Sequence, residues 1–199
     1  MHKGNTIDRL ITAAFDLFSV KGYSGTSVEE VAKLAGIKAP TMYKYLSGKE
    51  ELLQILGERF DEEYKKGMNG NTVGIANVHT AAEYKEFCLR GILFAIENEM
   101  FAKARRMSML EQFRDPYFAE RATKYQITEQ QAIHTALIRR LIDEGAMIKG
   151  DPEIIALEYI APGTLMIQMC DRQPEKKEEA LAIVSKHLDT INDRYFLKK

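Results

Sequence analysis

The stretch from Gly22 to Leu53 carries helix start and stop signals so closely spaced that it can form only short helices before a longer one begins. Ser27 with Glu30 fits the S/T-x-x-E capping box, in which side chains satisfy the free N–H groups of a first helical turn. Thr26 with Glu29 fits the same pattern. A helix is therefore predicted to begin near Ser27.

A second helix is predicted directly after a glycine turn. Gly36 can adopt the positive φ that ends a helix or makes a tight turn. Pro40 is tolerated in the first turn of a helix, where its missing N–H leaves no hydrogen bond unmade. The second helix should thus run from about Ala39 to Leu46, with Met42 and Leu46 pointing inward. Two short helices joined in this way form a helix-turn-helix, whose second helix enters the major groove of DNA.

The outer face of this second helix suits contact with DNA. Its first residues are small, so its backbone can approach base edges, while hydroxyl and ammonium groups reach phosphates. The residues expected on this face are Lys38, Ala39, Thr41, Tyr43 and Lys44. Lys49 begins the next helix, where the helix dipole also favours an anion.

The ordered set of residues in this region resembles the tetracycline-repressor (TetR) family of bacterial transcription regulators over roughly residues 5 to 55. The resemblance rests on Gly22, Thr26-Ser27, Val31-Ala32, Ala35-Gly36-Ile37, Thr41-Met42-Tyr43, Tyr45-Leu46 and Lys49-Glu50-Glu51-Leu52. It implies phosphate contacts at Thr26 and Ser27. It implies a DNA-facing set of Lys38, Thr41, Tyr43, Lys44, Tyr45 and Lys49. Lys38 replaces the small hydroxyl residue common at its position, which leaves the capping of the second helix open.

The remainder of the chain is predicted to be helical almost throughout, so the expected fold is all-α. An N-terminal three-helix bundle containing the helix-turn-helix should precede a larger C-terminal helical domain for ligand binding and dimerisation. We place the domains at residues 1–48 and 49–199. Helices are expected at about 7–21, 49–66, 81–99, 101–113, 116–144, 152–170 and 175–196. The Gly- and Asn-rich segment 67–80 is the best candidate for a loop.

The last predicted helix carries a narrow apolar seam at spacings of three and four residues. Its members are Leu181, Val184, Leu188, Ile191 and Tyr195. Such a seam can pack on its own chain's core, or it can form half of a dimer interface, in which this helix and the one from Pro152 meet their symmetry mates as a four-helix bundle. We favour the dimer, because one short reading helix contacts too few base pairs for operator specificity. A twofold pair reads two half-sites about 34–36 Å apart, or a multiple of that, on a palindromic operator.

Family resemblance also implies a small-molecule effector bound in the C-terminal domain. The residues expected to line its pocket are Phe87, Phe94, Met107, Phe113, Tyr117, Tyr125, His134 and Met166. Adaptable thioethers and aromatic rings suit an apolar or aromatic ligand. Taken singly, each of them is more simply explained as a core residue, and His134 as a partly buried histidine with a satisfied hydrogen bond.

Composition and charge limit the remaining function classes. Up to Lys49 there are seven Lys or Arg against four Asp or Glu, although the whole chain has a net charge of -1. The basic excess therefore lies at the proposed DNA-binding end. Apolar runs are too short for a membrane span, no signal peptide is evident, and the two cysteines imply no disulfide framework. A cytoplasmic location without membrane contact is expected.

Enzymatic activity is not expected, because the sequence has no H-E-x-x-H, no phosphate-binding glycine loop and no G-x-S-x-G elbow. No metal site and no cofactor are predicted. The sequence therefore predicts a TetR-like regulator, and its resemblance to the family implies a repressor. It would bind a double-stranded operator as a homodimer and be released by a small molecule. The alternative is a helical protein-binding adaptor without DNA activity.

Overall fold

The computed structural model describes the backbone of residues 3–198 and the side chains of residues 6–66 and 74–198. Within this part of the chain there are ten α-helices and no β-strand. The helices are α1 (Lys3–Lys21), α2 (Val28–Leu34), α3 (Ala39–Met42), α4 (Lys49–Ala76), α5 (Ala81–Glu97), α6 (Glu99–Glu111), α7 (Pro116–Thr123), α8 (Glu129–Asp143), α9 (Pro152–Arg172) and α10 (Lys177–Tyr195). A π-helical turn (Lys124–Thr128) joins α7 to α8, and a 3₁₀ turn (Pro174–Lys176) precedes α10. The predicted all-α fold is confirmed.

Two compact units share the chain, and each has its own core. The first comprises Met1–Met68 and Lys103–Ala122, and the second comprises Asn69–Ala102 and Thr123–Lys199. Both α4 and α6 therefore contribute residues to each unit. The functional boundary at residues 48 and 49 stays a prediction.

The core of the first unit fixes the predicted helix-turn-helix. Its most buried side chains come from α1, α2, the α3 region, α4, α6 and α7: Leu10, Ala14, Phe18, Val31, Ala32, Met42, Leu46, Leu52, Leu56, Met107 and Phe118. Gly22 and Gly36 both adopt positive φ values, 79° and 73°, which L-residues with a Cβ rarely adopt. These glycines let α1 and α2 end sharply, so each of the next elements can turn back onto the same core.

The predicted loop over residues 67–80 is wrong for most of its length, because α4 continues to Ala76. A glycine within a helix reduces helix stability by about 1 kcal/mol relative to alanine. A residue that is distant in the sequence, Arg140, offsets this cost at the end of α4. The Arg140 guanidinium of α8 donates hydrogen bonds to the carbonyls of Ile75 (2.8 Å), Ala76 (3.2 Å) and Val78 (2.6 Å). It thereby satisfies carbonyls that a helix end leaves unpaired.

The second unit packs α5, α8, α9 and α10 around a core that contains buried polar groups. The Tyr84 hydroxyl lies 2.7 Å from His134 Nδ1, and the Tyr84 ring stacks on Tyr159 with centroids 4.5 Å apart. The Tyr159 hydroxyl donates to Asn192 Oδ1 at 2.7 Å. Because buried polar groups are costly unless hydrogen-bonded, these contacts fix the relative placement of α5, α8, α9 and α10.

Candidate nucleic-acid interface

The start of α2 is organised by the predicted capping box. The Ser27 hydroxyl accepts from the Glu30 N–H at 3.2 Å, and Glu30 Oε2 accepts from the Ser27 N–H at 2.9 Å. Hydrogen bonds from Lys21 and Ser27 lower the pKa of Glu30 to about 2. The Ser27 side chain is exposed and its hydroxyl proton can still be donated, so the residue is placed to contact a phosphate.

Thr26 has a different role from its neighbour. Its side chain is 2% exposed, and its hydroxyl donates to the Gly22 carbonyl at 2.8 Å. The structure thus selects Ser27 with Glu30 over Thr26 with Glu29 as the capping box. Because the Thr26 hydroxyl is committed to the turn between α1 and α2, we leave Thr26 out of the proposed phosphate contacts.

The short helix α3 presents the outer face predicted for it. Met42 is fully buried and Leu46 is 4% exposed, so these two side chains anchor the segment to the core. On the opposite side, Lys38, Tyr43 and Lys44 are exposed. Three further residues of the predicted set are half-buried: Ala39, Thr41 and Tyr45. Tyr45 packs against the core of the first unit.

The structure answers how the start of α3 is capped when Lys38 replaces the usual hydroxyl residue. Lys38 occupies the N-cap position of α3 and makes no side-chain capping hydrogen bond. The first N–H groups of α3 therefore lack a side-chain acceptor from the cap residue. Pro40 has no N–H, and the Thr41 N–H donates to the Lys38 carbonyl at 2.8 Å, so the backbone at the start of α3 is largely satisfied without a side-chain cap.

Lys49 begins α4 as predicted, but its ammonium group is directed into the protein. Nζ donates to the carbonyls of Tyr23 (3.1 Å) and Thr26 (3.2 Å), and it lies 4.4 Å from the centroid of the Tyr23 ring. These contacts assign Lys49 to holding the turn that precedes α2. We therefore do not include it among the proposed direct DNA contacts.

A shallow cavity of about 530 Å³ lies between the start of α2, the end of α3 and the start of α4. Its lining includes the hydroxyl residues Ser24, Thr26, Ser27 and Ser47, together with Tyr43. Two helix N-termini open into the same cavity, and helix N-termini favour anions. The hydroxyls and helix N-termini suit a phosphate group, but Glu29, Glu30 and Glu50 also line the cavity and oppose an anion there.

The residues predicted to line a ligand pocket are divided between the two units. Met107, Phe113 and Tyr117 belong to the first unit. Met107 is buried in its core, whereas Phe113 is 94% exposed. The residues of the second unit are Phe87, Phe94, Tyr125, His134 and Met166. Phe94 is 44% exposed. An exposure of 94% argues against a place for Phe113 in an enclosed pocket, and the set of eight as a whole stays a prediction.

Within the second unit, Phe87 and His134 lie together in the core. Their ring centroids are 5.6 Å apart, and both residues are buried. Burial lowers the pKa of His134 to about 4. A neutral His134 hydrogen-bonded to Tyr84 agrees with the reading of this residue as a satisfied core histidine.

The seam predicted as the dimer interface packs into its own chain's core. Val184, Leu188 and Ile191 are at most 3% exposed and belong to the core of the second unit. Leu181 and Tyr195 are half-buried. The open alternative of contact with the same chain is therefore correct for the centre of the seam, because a 3,4 spacing identifies a packed face without identifying what packs on it.

A different apolar stripe remains exposed on α9, the helix from Pro152 that was expected to share the dimer interface, but the sequence analysis did not name its residues. It consists of Ile154 (54% exposed), Leu157 (45%) and Leu165 (61%), with Ile183 (45%) on α10. The α9 members are spaced three and eight residues apart, so they share one helical face. The same helical periodicity in the sequence could have revealed this face.

No helix among the described residues combines the length and apolarity needed to cross a membrane. Over the same part of the chain, His, Cys, Asp and Glu side chains form no group that could hold a metal ion.

The sequence profile of the family described as "Bacterial regulatory proteins, tetR family" matches residues 10–56, which contain the helix-turn-helix just described. The chain belongs to the tetR family. It is 37% identical over 78 residues to the "Probable HTH-type transcriptional regulator YttP" of Bacillus subtilis. That match covers 39% of this chain and 38% of YttP, so it spans well under half of the relative's own length.

Solved structures of tetR-family proteins share the fold across almost the whole chain. A TetR transcription regulator from Haloarcula marismortui superposes with a TM-score of 0.71 at 14% identity, over 98% of this chain and 100% of that one. The complex of SmeT from Stenotrophomonas maltophilia with triclosan gives 0.68 at 18% identity, over 97% and 92%. Both likenesses concern the fold, and membership of a family of regulators agrees with the prediction of a non-enzymatic protein.

Proposed function

We propose that this protein is a transcription regulator, acting as a repressor, that binds a palindromic operator as a homodimer. The observation that carries the proposal is the geometry of α3. Met42 and Leu46 fix one side of this segment in the core, while Tyr43 and Lys44 leave the other side as exposed hydrogen-bonding and cationic groups. A rigidly held helix with such a face is what major-groove reading requires.

The proposed contacts divide into two kinds. Ala39 and Thr41 are small residues at the start of α3, so they let the backbone approach base edges. Lys38, Lys44 and Ser27 would contact phosphates, which supply affinity without sequence information. Since the net charge of the chain is -1, this affinity rests on a local patch and should fall steeply with salt.

Dimerisation would proceed through the exposed stripe of α9 and α10. Leu157, Leu165 and Ile183 are each 45–61% exposed. A twofold-symmetric dimer interface would cover these side chains in both protomers. A pair of α3 helices would then read two half-sites. We assign DNA reading to residues 1–48, and dimerisation and ligand binding to residues 49–199. The proposed place of action is the cytoplasm, where the operator lies.

Release from DNA would follow binding of a small apolar or aromatic molecule in the second unit. SmeT, a structural neighbour, forms a complex with triclosan, which supports an effector of this class. A ligand that prefers an arrangement with badly spaced α3 helices weakens DNA binding by its differential affinity, commonly about 1–3 kcal/mol. Because α4 contributes to both units, it is the element through which such a change would act.

The test compares two variants on duplexes that the wild-type protein enriches from a random-sequence library. Replacing Tyr43 and Lys44 together with alanine should reduce binding to these duplexes by at least about a hundredfold, since base and phosphate contacts are both lost. Lys149→Ala, which removes an exposed lysine of the second unit, should bind as the wild type does. A wild-type protein that enriches no duplex would instead favour the protein-binding adaptor.

A further inference from the structure

Glu111 is a fully buried acid that lies against the helix-turn-helix. It is the last residue of α6 and is 0% exposed, on the same helix face as the buried Met107 and Ser108. Its Oε1 accepts from the Ser24 N–H at 2.9 Å, and its Oε2 accepts from the Ser24 hydroxyl at 2.8 Å. Among the residues that the structure describes, no cation pairs with it. A buried carboxylate without a cation is costly to keep, so hydrophobic packing alone does not account for it.

The turn that Glu111 contacts is shaped to receive it. Gly22 opens this turn with a φ of 79°, and a Cβ at position 22 would overlap Glu111 Oε1. Gly22 is thus required both for the backbone conformation and for the approach of the carboxylate. Ser24 follows two residues later and supplies both hydrogen-bond donors to Glu111.

A cation holds the same turn from the start of α4. The Lys49 ammonium group donates hydrogen bonds to the carbonyls of Tyr23 and Thr26. Glu111, by contrast, accepts hydrogen bonds from the N–H and the hydroxyl of Ser24. Each charged group therefore binds the part of the turn with the complementary dipole. The turn ends at Ser27, the N-cap of α2, so its position sets where α2 begins.

We propose that Glu111 is a positioning residue for DNA binding, which acts by fixing Ser24 and thereby the start of α2. This inference rests on the proposed function. The hydrogen bonds of Glu111 go to Ser24, in the turn before α2, and Glu111 stands at the end of a helix whose first residues, up to Ala102, belong to the second unit. Its effect on affinity is therefore transmitted through the turn rather than exerted on DNA.

The experiment measures affinity for a duplex selected by the wild-type protein, at a temperature where every variant is folded. Glu111→Gln keeps the size of the side chain and removes its charge. We expect about a tenfold loss of affinity, the size associated with losing a hydrogen bond to a charged group. The slope of log affinity against log salt should not change, because no phosphate contact is lost.

Two further variants separate positioning from general stability. Leu56→Ala removes packing from the same core. When the two variants are compared under conditions that give them the same unfolding midpoint, Leu56→Ala should bind the duplex more tightly than Glu111→Gln does. Ser24→Ala, an exposed change that leaves the core intact, should lose about threefold, and adding Glu111→Gln to it should cost clearly less than tenfold.

The inference is overturned if Glu111→Gln binds as tightly as the wild type. It is also overturned if Glu111→Gln loses no more affinity than the matched Leu56→Ala variant, or if its effect is undiminished beside Ser24→Ala. Should Glu111→Gln not fold, wild-type affinity in Ser24→Ala would overturn it. Failure of the wild-type protein to enrich any duplex would overturn the proposed function itself, and this result is distinct from the others.

Discussion

Truncation of Leu165 in the exposed stripe of α9 should weaken the proposed dimer without disturbing the fold. Complete burial of a leucine side chain contributes about 2 kcal/mol. Leu165 is 61% exposed, so covering this exposed fraction contributes roughly 1.2 kcal/mol per copy. A twofold interface buries two copies, which gives about 2.4 kcal/mol and predicts that Leu165→Ala raises the dimer dissociation constant about 50-fold. Sedimentation equilibrium at 25 °C measures this constant directly.

Two adjacent residues of α10 provide the matched control for this prediction. Ile183 is 45% exposed, whereas Val184 is 1% exposed and packs in the core of the second unit. Ile183→Ala should raise the dimer dissociation constant and leave the fold intact. Val184→Ala should instead reduce the free energy of unfolding by about 1–3 kcal/mol, as buried truncations do, without changing dimerisation. The reverse pattern would refute the assignment of the interface to the exposed stripe.

Two other perturbations test the roles of Lys49 and His134. Lys49→Met should weaken binding to a selected duplex, because the Lys49 ammonium holds the turn before α2. The slope of log affinity against log salt should change little. A slope smaller in magnitude by about 2 per dimer would instead show that Lys49 contacts a phosphate. Burial lowers the pKa of His134 from 6.5 to about 4. The unfolded chain therefore binds more protons between these values, and stability should be complete above about pH 6.5 and decline towards pH 4 by up to roughly 3 kcal/mol. Urea unfolding at pH 7 and pH 5 should show this loss, and a His134→Gln variant that retains all of the pH dependence would contradict the assignment.

Local signals were sufficient to predict the helix-turn-helix. The capping box at Ser27, the glycine turn at Gly36 and the proline at position 40 each act within a few residues of the chain. Their geometry therefore follows from the sequence with little help from distant contacts. Lys49 is the exception, because its acceptors, Tyr23 and Thr26, lie more than twenty residues earlier.

Contacts between distant residues decided the features that the sequence did not reveal. Arg140 extends α4 to Ala76 through hydrogen bonds across more than sixty residues, so composition alone favoured a loop. Glu111 follows Met107 by four residues on a buried helix face, and an acid at such a position could have been noticed. The periodicity of α10 correctly predicted a packed face, but the partner of that face is fixed only by the fold.

The uncovered stripe of α9 makes the proposed regulator sensitive to its own abundance. If most chains are monomers, the concentration of dimers varies with the square of the number of copies in the cell. At an operator that is far from saturated, halving the expression of the protein would then reduce operator occupancy to about a quarter. A change in gene copy number would therefore alter transcription from the regulated promoter, as a modest concentration of effector would.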